Sequence, residues 1–247
     1  MNFISTPYQP CIIEETDDFA VVFKPPKMHS VPLKKKDGGT LFEWYASVST
    51  RFFDMVHRLD FETHGLVLIA KNRKSFEYFK TLQDNGGFIK EYSAVCVKKD
   101  CGSDSGFPPS PDTSGSFLLT EKPLIIESYF RPYGPGRKFV RPVTECIKRH
   151  EIAKDKGGFY KTEITGINEN VFTVRIRRGF RHQIRCHLCW INHPILNDPL
   201  YPRKIEDESI PTSTELALRS HSLLFTDPST GSQRECGINS ILEKPSL

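Results

Sequence analysis

No stretch of the 247 residues approaches the ~18 consecutive apolar residues of a membrane span. Met1-Asn2-Phe3-Ile4 shows neither the charged nor the apolar region of an export signal. The expectation is a soluble, unexported, cytoplasmic protein. Charge of one sign is not in excess: 34 Lys and Arg against 30 Asp and Glu leave +4, which argues against a polyelectrolyte or a histone-like tail. Cysteine is present seven times, an odd and scattered set, so a disulfide framework is not expected and reduced thiols are. Glycine-rich phosphate loops, a serine nucleophile elbow and a dinucleotide fingerprint are all missing, which argues against nucleoside triphosphate and nicotinamide chemistry. There is no internal repeat. What is present is 38% hydrophobic residues, enough for one sizeable core or two modest ones.

Short β-prone runs at Ile12-Ile13 and Phe19 to Phe23 flank an acidic turn and predict an opening hairpin. Thr40-Leu41-Phe42-Glu43 has capping-box spacing, and Leu41, Trp44, Tyr45 and Val48 then predict a helix of about three turns. Gly65 to Ala70 is a continuous apolar run, short and branched enough for a buried strand. Phe76, Phe79 and Leu82 predict a helix over Lys74 to Asp84, stopped by Asn85-Gly86-Gly87. Phe88 to Val97 resumes β character, whereas residues 100–116 are dominated by Gly, Ser, Pro and Asp and read as a mobile insertion. Two further β runs flank Asn168-Glu169-Asn170, the second alternating so that its arginines face outward. A helix within Arg181 to Ile191 and a last strand over Leu216 to Phe225 complete an α+β pattern on a largely antiparallel, mixed sheet.

Four constellations carry chemistry. His57-Arg58-Leu59-Asp60-Phe61-Glu62-Thr63-His64-Gly65 is a polar loop beside a rigid apolar strand, with Asp60 as acceptor or nucleophile and Arg58 able to orient it or grip a phosphate. A plain surface turn with an Asp–Arg pair fits the same residue types. Lys90, Tyr92 and Ala94 share one strand face, which suits either a base-stacking platform or a tyrosine half-buried under a lysine stem. Arg175, Arg177, Arg178, Arg181 and Arg185 lie together with no carboxylate among them. Arg131 to Arg149 is a second basic stretch, and two such stretches in a chain of only +4 point to a nucleic-acid backbone. Lastly, His182, Cys186, His187, Cys189 and His193 include a Cys-x-x-Cys but have no second pair from another segment, so no metal is expected.

In chain order these stretches resemble the RluA-type family of RNA pseudouridine synthases. His57-Arg58-Leu59-Asp60-x-x-Thr63-x-Gly65-Leu66 is similar to that family's central motif, and Lys90-x-Tyr92-x-Ala94 to its tyrosine motif. His182-Gln183-Ile184-Arg185-x-His187, followed by His193-Pro194-Ile195-x-x-Asp198-x-x-Tyr201, is similar to its arginine motif. Lys24-Pro25 with Pro32 resembles the opening, and Leu216 through Gly231 the closing strand, so the likeness runs from about Ile12 to Gly231. The resemblance implies a single catalytic domain over residues 1–247 in the pseudouridine synthase fold, with a central active-site cleft. Family members with an S4 RNA-binding domain carry it ahead of the opening motif, where this chain has eleven residues.

The implied reaction is isomerisation of uridine in structured RNA, tRNA or rRNA, by base flipping, with no cofactor, no nucleotide cofactor and no membrane partner, in a monomer. Asp60 is implied to react with C1′, C6 or the 2′ position. Tyr92 would stack on the flipped base and is a candidate for assisting proton removal at C5, and Arg185 would pair with Asp60. Arg58 would hold space in the duplex or grip the backbone, Ile184 would pack beside the base, and Lys90, Arg177, Arg178 and Arg181 would contact RNA. Departures from the motifs are His64 in place of Ser or Thr, Phe180-Arg181 in place of Arg and a small polar residue, and Lys27, Asn192 and Asn197 in place of glycines. The changed glycines leave a second reading open, an inactive RNA-binding module of the same fold. The Cys/His cluster leaves a third, a zinc nuclease.

Overall fold

The structure is a computed structural model and describes residues 9–33, 39–49, 52–98, 123–144, 159–201 and 215–239. The first half of the chain forms strands β1 (Cys11–Glu15) and β2 (Phe19–Lys24), helix α1 (Leu41–Val48), β3 (Asp54–Met55), β4 (His64–Ala70), helix α2 (Arg73–Asp84) and β5 (Ile89–Val95). Then follow β6 (Leu124–Tyr133), β7 (Phe139–Val143), β8 (Tyr160–Asn168), β9 (Val171–Ile176), helix α3 (Gln183–Trp190), β10 (Leu218–Thr226) and β11 (Gln233–Gly237). These residues fall into two compact units, one drawn from Met1–Ser93 with Leu218–Leu247, the other from Ala94–Ala217. No helix among the described residues is long and apolar enough to cross a membrane.

In the first unit β1, β2, β4 and β10 are successive neighbours, and β4 carries the architecture. Every one of its seven residues is buried, as its unbroken apolar run requires. It pairs antiparallel with β2 along one edge; on the other, β10 runs parallel at His64 and Gly65 while β3 pairs at Ile69 and Ala70. The sheet is therefore mixed, with antiparallel pairs dominant. Phe19, Phe79 and Phe225 meet edge to face at 5.2–5.9 Å beneath α2, a packing that favours the positive ring edge over the negative face. The capping box closes as its spacing predicts: the Thr40 hydroxyl accepts from Glu43 N at 3.2 Å, and Glu43 accepts from Thr40 N at 3.0 Å. Helix α1 has eight residues, little more than two turns, shorter than the spacing suggested.

The second unit is an antiparallel run β9, β8, β6, β7 with α3 against it. Phe130, Val140, Tyr160, Cys186, Cys189 and Tyr201 form its core, and Phe180 stacks on Phe130 at 5.0 Å. The β8–β9 hairpin turns at Glu169, whose φ is +53°. Alternation in β9 buries Phe172, Val174 and Ile176 and leaves Arg175 on the outer face. The β6–β7 hairpin and β11, which follows the strand expected to be last, were not anticipated. The insertion at 100–116 and the end of the second basic stretch, Lys148 and Arg149, lie outside the described residues.

Candidate functional site

The loop carrying Asp60 links β3 to β4 and is pinned at both ends. Val56 N donates to Leu68 O, and the His57 ring, which sits 5.3 Å from Phe88, accepts from Leu68 N at 3.2 Å. Burial and the nearby Lys90 charge hold His57 well below its ordinary pKa, which leaves the neutral acceptor that this bond needs. The Ser30 hydroxyl grips Leu59 from both sides, donating to its carbonyl at 2.8 Å and accepting from its N–H at 3.1 Å. Asp60 follows directly, and its carbonyl accepts from Thr63 N at 3.2 Å to close the turn. The side chain of Asp60 is half-buried.

Below the loop lies Lys24, fully buried at the end of β2. Its ammonium donates to the carbonyls of Pro25 at 2.9 Å, Met28 at 2.7 Å and Phe61 at 3.3 Å, so one side chain ties the opening turn to the Asp60 loop. Desolvation lowers its pKa to about 7 against the opposing pull of Asp60 and Glu62. Gly65, at the far end of the loop, has φ +119° and abuts β10; a Cβ there would lie 2.1 Å from Ser220 O. His64 is interior and accepts from Arg219 Nε at 3.1 Å, and burial followed by the Arg219 and Lys24 charges depresses it to about 3. A neutral imidazole bonded to a guanidinium thus fills the place where the family motif has a hydroxyl.

Tyr92 is 4% exposed on β5, and burial, followed by the charge of Asp60, raises its pKa well above the ordinary phenol value. The phenol is therefore protonated at neutral pH. Lys90, expected to contact RNA, is buried beside it. It is 3% exposed, its ammonium lies 4.7 Å over the Phe88 ring, and burial lowers its pKa to about 7. Next to Tyr92, the Ser93 hydroxyl and Glu91 hold the two ring nitrogens of His221.

In the second unit Arg185 is 2% exposed, and its forked partner is Asp198: Nε donates to Oδ2 at 2.8 Å and a terminal nitrogen to Oδ1 at 2.6 Å. This fork uses Nε and one terminal nitrogen of the guanidinium. Asp198 Oδ1 also accepts from Leu200 N and Tyr201 N, which fixes the pair. Ile184 is buried on α3. The Cys/His cluster resolves into other work: His187 bonds Thr162 at 2.8 Å through Nδ1 and Ser128 at 2.9 Å through Nε2, and Cys186 and Cys189 belong to the core. Arg177 pairs with Glu163 at 3.7 Å, Arg178 lies 5.4 Å over Tyr160, and Arg181 donates to the carbonyls of Arg137 and Phe139. Arg58, in the first unit, is exposed.

The motif departures keep the backbone that glycine would have supplied. Lys27, Asn192 and Asn197 have φ of +56°, +62° and +60°. Asparagine tolerates that region, and for Lys27 the strain is about 1–2 kcal/mol. In the sequence Lys24 and Asp198 stand only as parts of motifs, and Ser30 stands in none. Their roles depend on partners 13–37 positions away, which no local pattern specifies.

A family profile described as RNA pseudouridylate synthase matches residues 18–190. An uncharacterised protein of Caenorhabditis elegans is 29% identical over 202 residues, 77% of this chain and 38% of that protein. The ribosomal large subunit pseudouridine synthase D of Buchnera aphidicola is 26% identical over 195 residues, 77% of this chain and 54% of that one. The chain thus spans about two fifths of the first relative and half of the second. Among solved structures, human RNA pseudouridylate synthase domain containing 1 superposes with a TM-score of 0.61 at 19% identity, covering 97% of this chain and 86% of that one, which establishes a shared fold.

Proposed function

The chain belongs to the RNA pseudouridylate synthase family, and from that membership we propose that it converts uridine in structured RNA, tRNA or rRNA, to pseudouridine. The observation that carries the reading is Asp60, held on a loop fixed by Ser30 and Lys24 and electrostatically coupled to the buried Tyr92. The reaction breaks the N1–C1′ bond, turns the uracil, joins C5 to C1′, and moves the proton from C5 to N1. It needs no change of oxidation state. The target must leave the base stack first, at a cost of a few kcal/mol.

Asp60 is assigned as the catalytic carboxylate acting at C1′, C6 or the 2′ position. Tyr92 gives the flipped base a stacking face; its raised pKa suits that role better than taking the C5 proton in the resting protein. Arg185, oriented by Asp198, is assigned as the catalytic arginine, and Ile184 as a contact of the base. Arg58, Arg177, Arg178 and Arg181 are assigned to the RNA backbone. The inactive-module reading rested on the altered motif glycines, and the positive φ kept at Lys27, Asn192 and Asn197 removes that support.

The test is conversion of uridine, followed by tritium release from C5-labelled RNA of cells that lack the gene. Wild-type protein should release label, and Asp60→Asn, which keeps shape and loses charge, should release essentially none while binding RNA and melting like the parent. A folded Asp60→Asn that converts at the parent rate, with reversion by deamidation excluded by mass spectrometry, overturns the assignment.

A further inference from the structure

Next to Asp60 the first unit brings an aromatic pair to its surface. The rings of His29 and Phe61 lie 4.6 Å apart with planes inclined by 39°, and Phe61 remains 39% exposed although it is a large apolar residue. The backbone under both rings is held. Lys24 bonds the carbonyls of Met28 and Phe61, and Ser30 bonds both polar groups of Leu59, so the backbone before His29 and at Phe61 is tied to one buried side chain and Leu59 to another. Lys27 and Arg58, two and three positions from the rings in sequence, are exposed cations on the same two loops. A pre-set aromatic face bordered by cations matches an unpaired nucleotide, whose base stacks on any π-surface while its phosphates meet the charge. The same two cations disfavour an apolar protein segment as occupant.

We propose that His29 and Phe61 form a stacking platform for the nucleobase adjacent to the target uridine in the same RNA strand, with Lys27 and Arg58 at its phosphates. Phe61 is the immediate chain neighbour of Asp60, so a nucleotide bound at the carboxylate places the next base within reach of this ring. The inference rests on the reading of Asp60 as the uridine site and adds to it a position that discriminates between bases by stacking strength.

The experiment compares binding of short single-stranded RNAs with a central uridine, carrying adenine or an abasic residue at each neighbouring position, to wild-type, Phe61→Ala, Phe61→Tyr and His29→Ala proteins by fluorescence anisotropy. Removal of the base on one side should weaken wild-type binding roughly five- to 150-fold, the span of one aromatic stack. Phe61→Ala should bind the two RNAs about equally, Phe61→Tyr should keep the parent's discrimination, and His29→Ala should keep part of it. A wild-type protein indifferent to both abasic positions, or a Phe61→Ala protein that still discriminates, overturns the platform. Discrimination without any release of C5 tritium would sink the isomerase reading and leave the platform standing, whereas tritium release without discrimination does the reverse.

Discussion

A guanidinium offers one side-on fork, and Arg185 gives it to Asp198 in a site from which both side chains are almost wholly withdrawn from water. Desolvating two charges is repaid only by that geometry together with the two backbone N–H groups on Asp198. Removing one partner leaves the other's buried charge without this fork, so Asp198→Ala should lose about 3–5 kcal/mol of stability in urea denaturation. Arg185→Lys should also lose stability, because an ammonium cannot reproduce the planar fork. An Asp198→Ala protein with the parent's denaturation midpoint would show that the pair is structurally idle. This changes how a slow Arg185 variant is to be read: its turnover has meaning only per folded molecule. The fork on Asp198 is not legible in the sequence, because it depends on the turn after α3, which returns Asp198 to the helix.

Among the strands, β4 is the one whose single glycine fixes the rest. Gly65 meets Ser220 backbone to backbone where β4 and β10 run parallel, and its φ of +119° is closed to L side chains. Gly65→Ala forces a Cβ to within 2.1 Å of a carbonyl oxygen that cannot rotate away, so the strand pair must part. The expected loss exceeds about 3 kcal/mol, read as a lower melting temperature or as insoluble protein. A soluble Gly65→Ala protein melting with its parent would mean that the two strands separate at no cost. The strand itself was legible, because six apolar residues in a row admit little else, and so was α1, because its capping box is a local device. The β6–β7 hairpin was not, since Pro132 and Pro142 sit inside it and proline argues against a strand. The structure accommodates Pro142 on β7, which ends the strand order of the second unit, where a missing N–H costs little. Strand β11 was hidden because Cys236 is its only buried residue. Of the site, the motifs displayed Asp60 and Tyr92, whereas the ties from Ser30 and Lys24 that hold the loop depend on chain segments no spacing rule connects.

Over the whole molecule, acid should act through histidines before it acts through carboxylates. His57, His64 and His221 in the first unit, and His182 and His187 in the second, are all pushed below the ordinary value of 6.5, chiefly by burial; His64, His182 and His187 fall to about 3. In the unfolded chain each takes up a proton near pH 6.5, and in the folded chain it does not. The unfolded state therefore binds more protons between those limits, and stability falls as pH falls, by up to about 1.4 kcal/mol per pH unit for each such group. Glu14, Glu15, Asp18 and Asp227 are also held below their ordinary values, and they act with the same sign, but only from about pH 4.5 downward. In the interval from pH 6.5 to 4.5 the histidines dominate, with Lys24 and Lys90, lowered to about 7, adding only the tail of their titration at its upper end. Urea midpoints measured across it should drop steadily, and His64→Gln and His187→Gln should each flatten the slope, whatever they do to the midpoint at neutral pH. The slope is the proper readout because His187 bridges Ser128 and Thr162, so its loss lowers stability at every pH, whereas only a titrating ring makes that loss depend on pH. Midpoints that stay level from pH 6.5 to 4.5, or substitutions that leave the parent's slope intact, would mean that these rings are protonated in the folded protein and that burial does not keep them neutral.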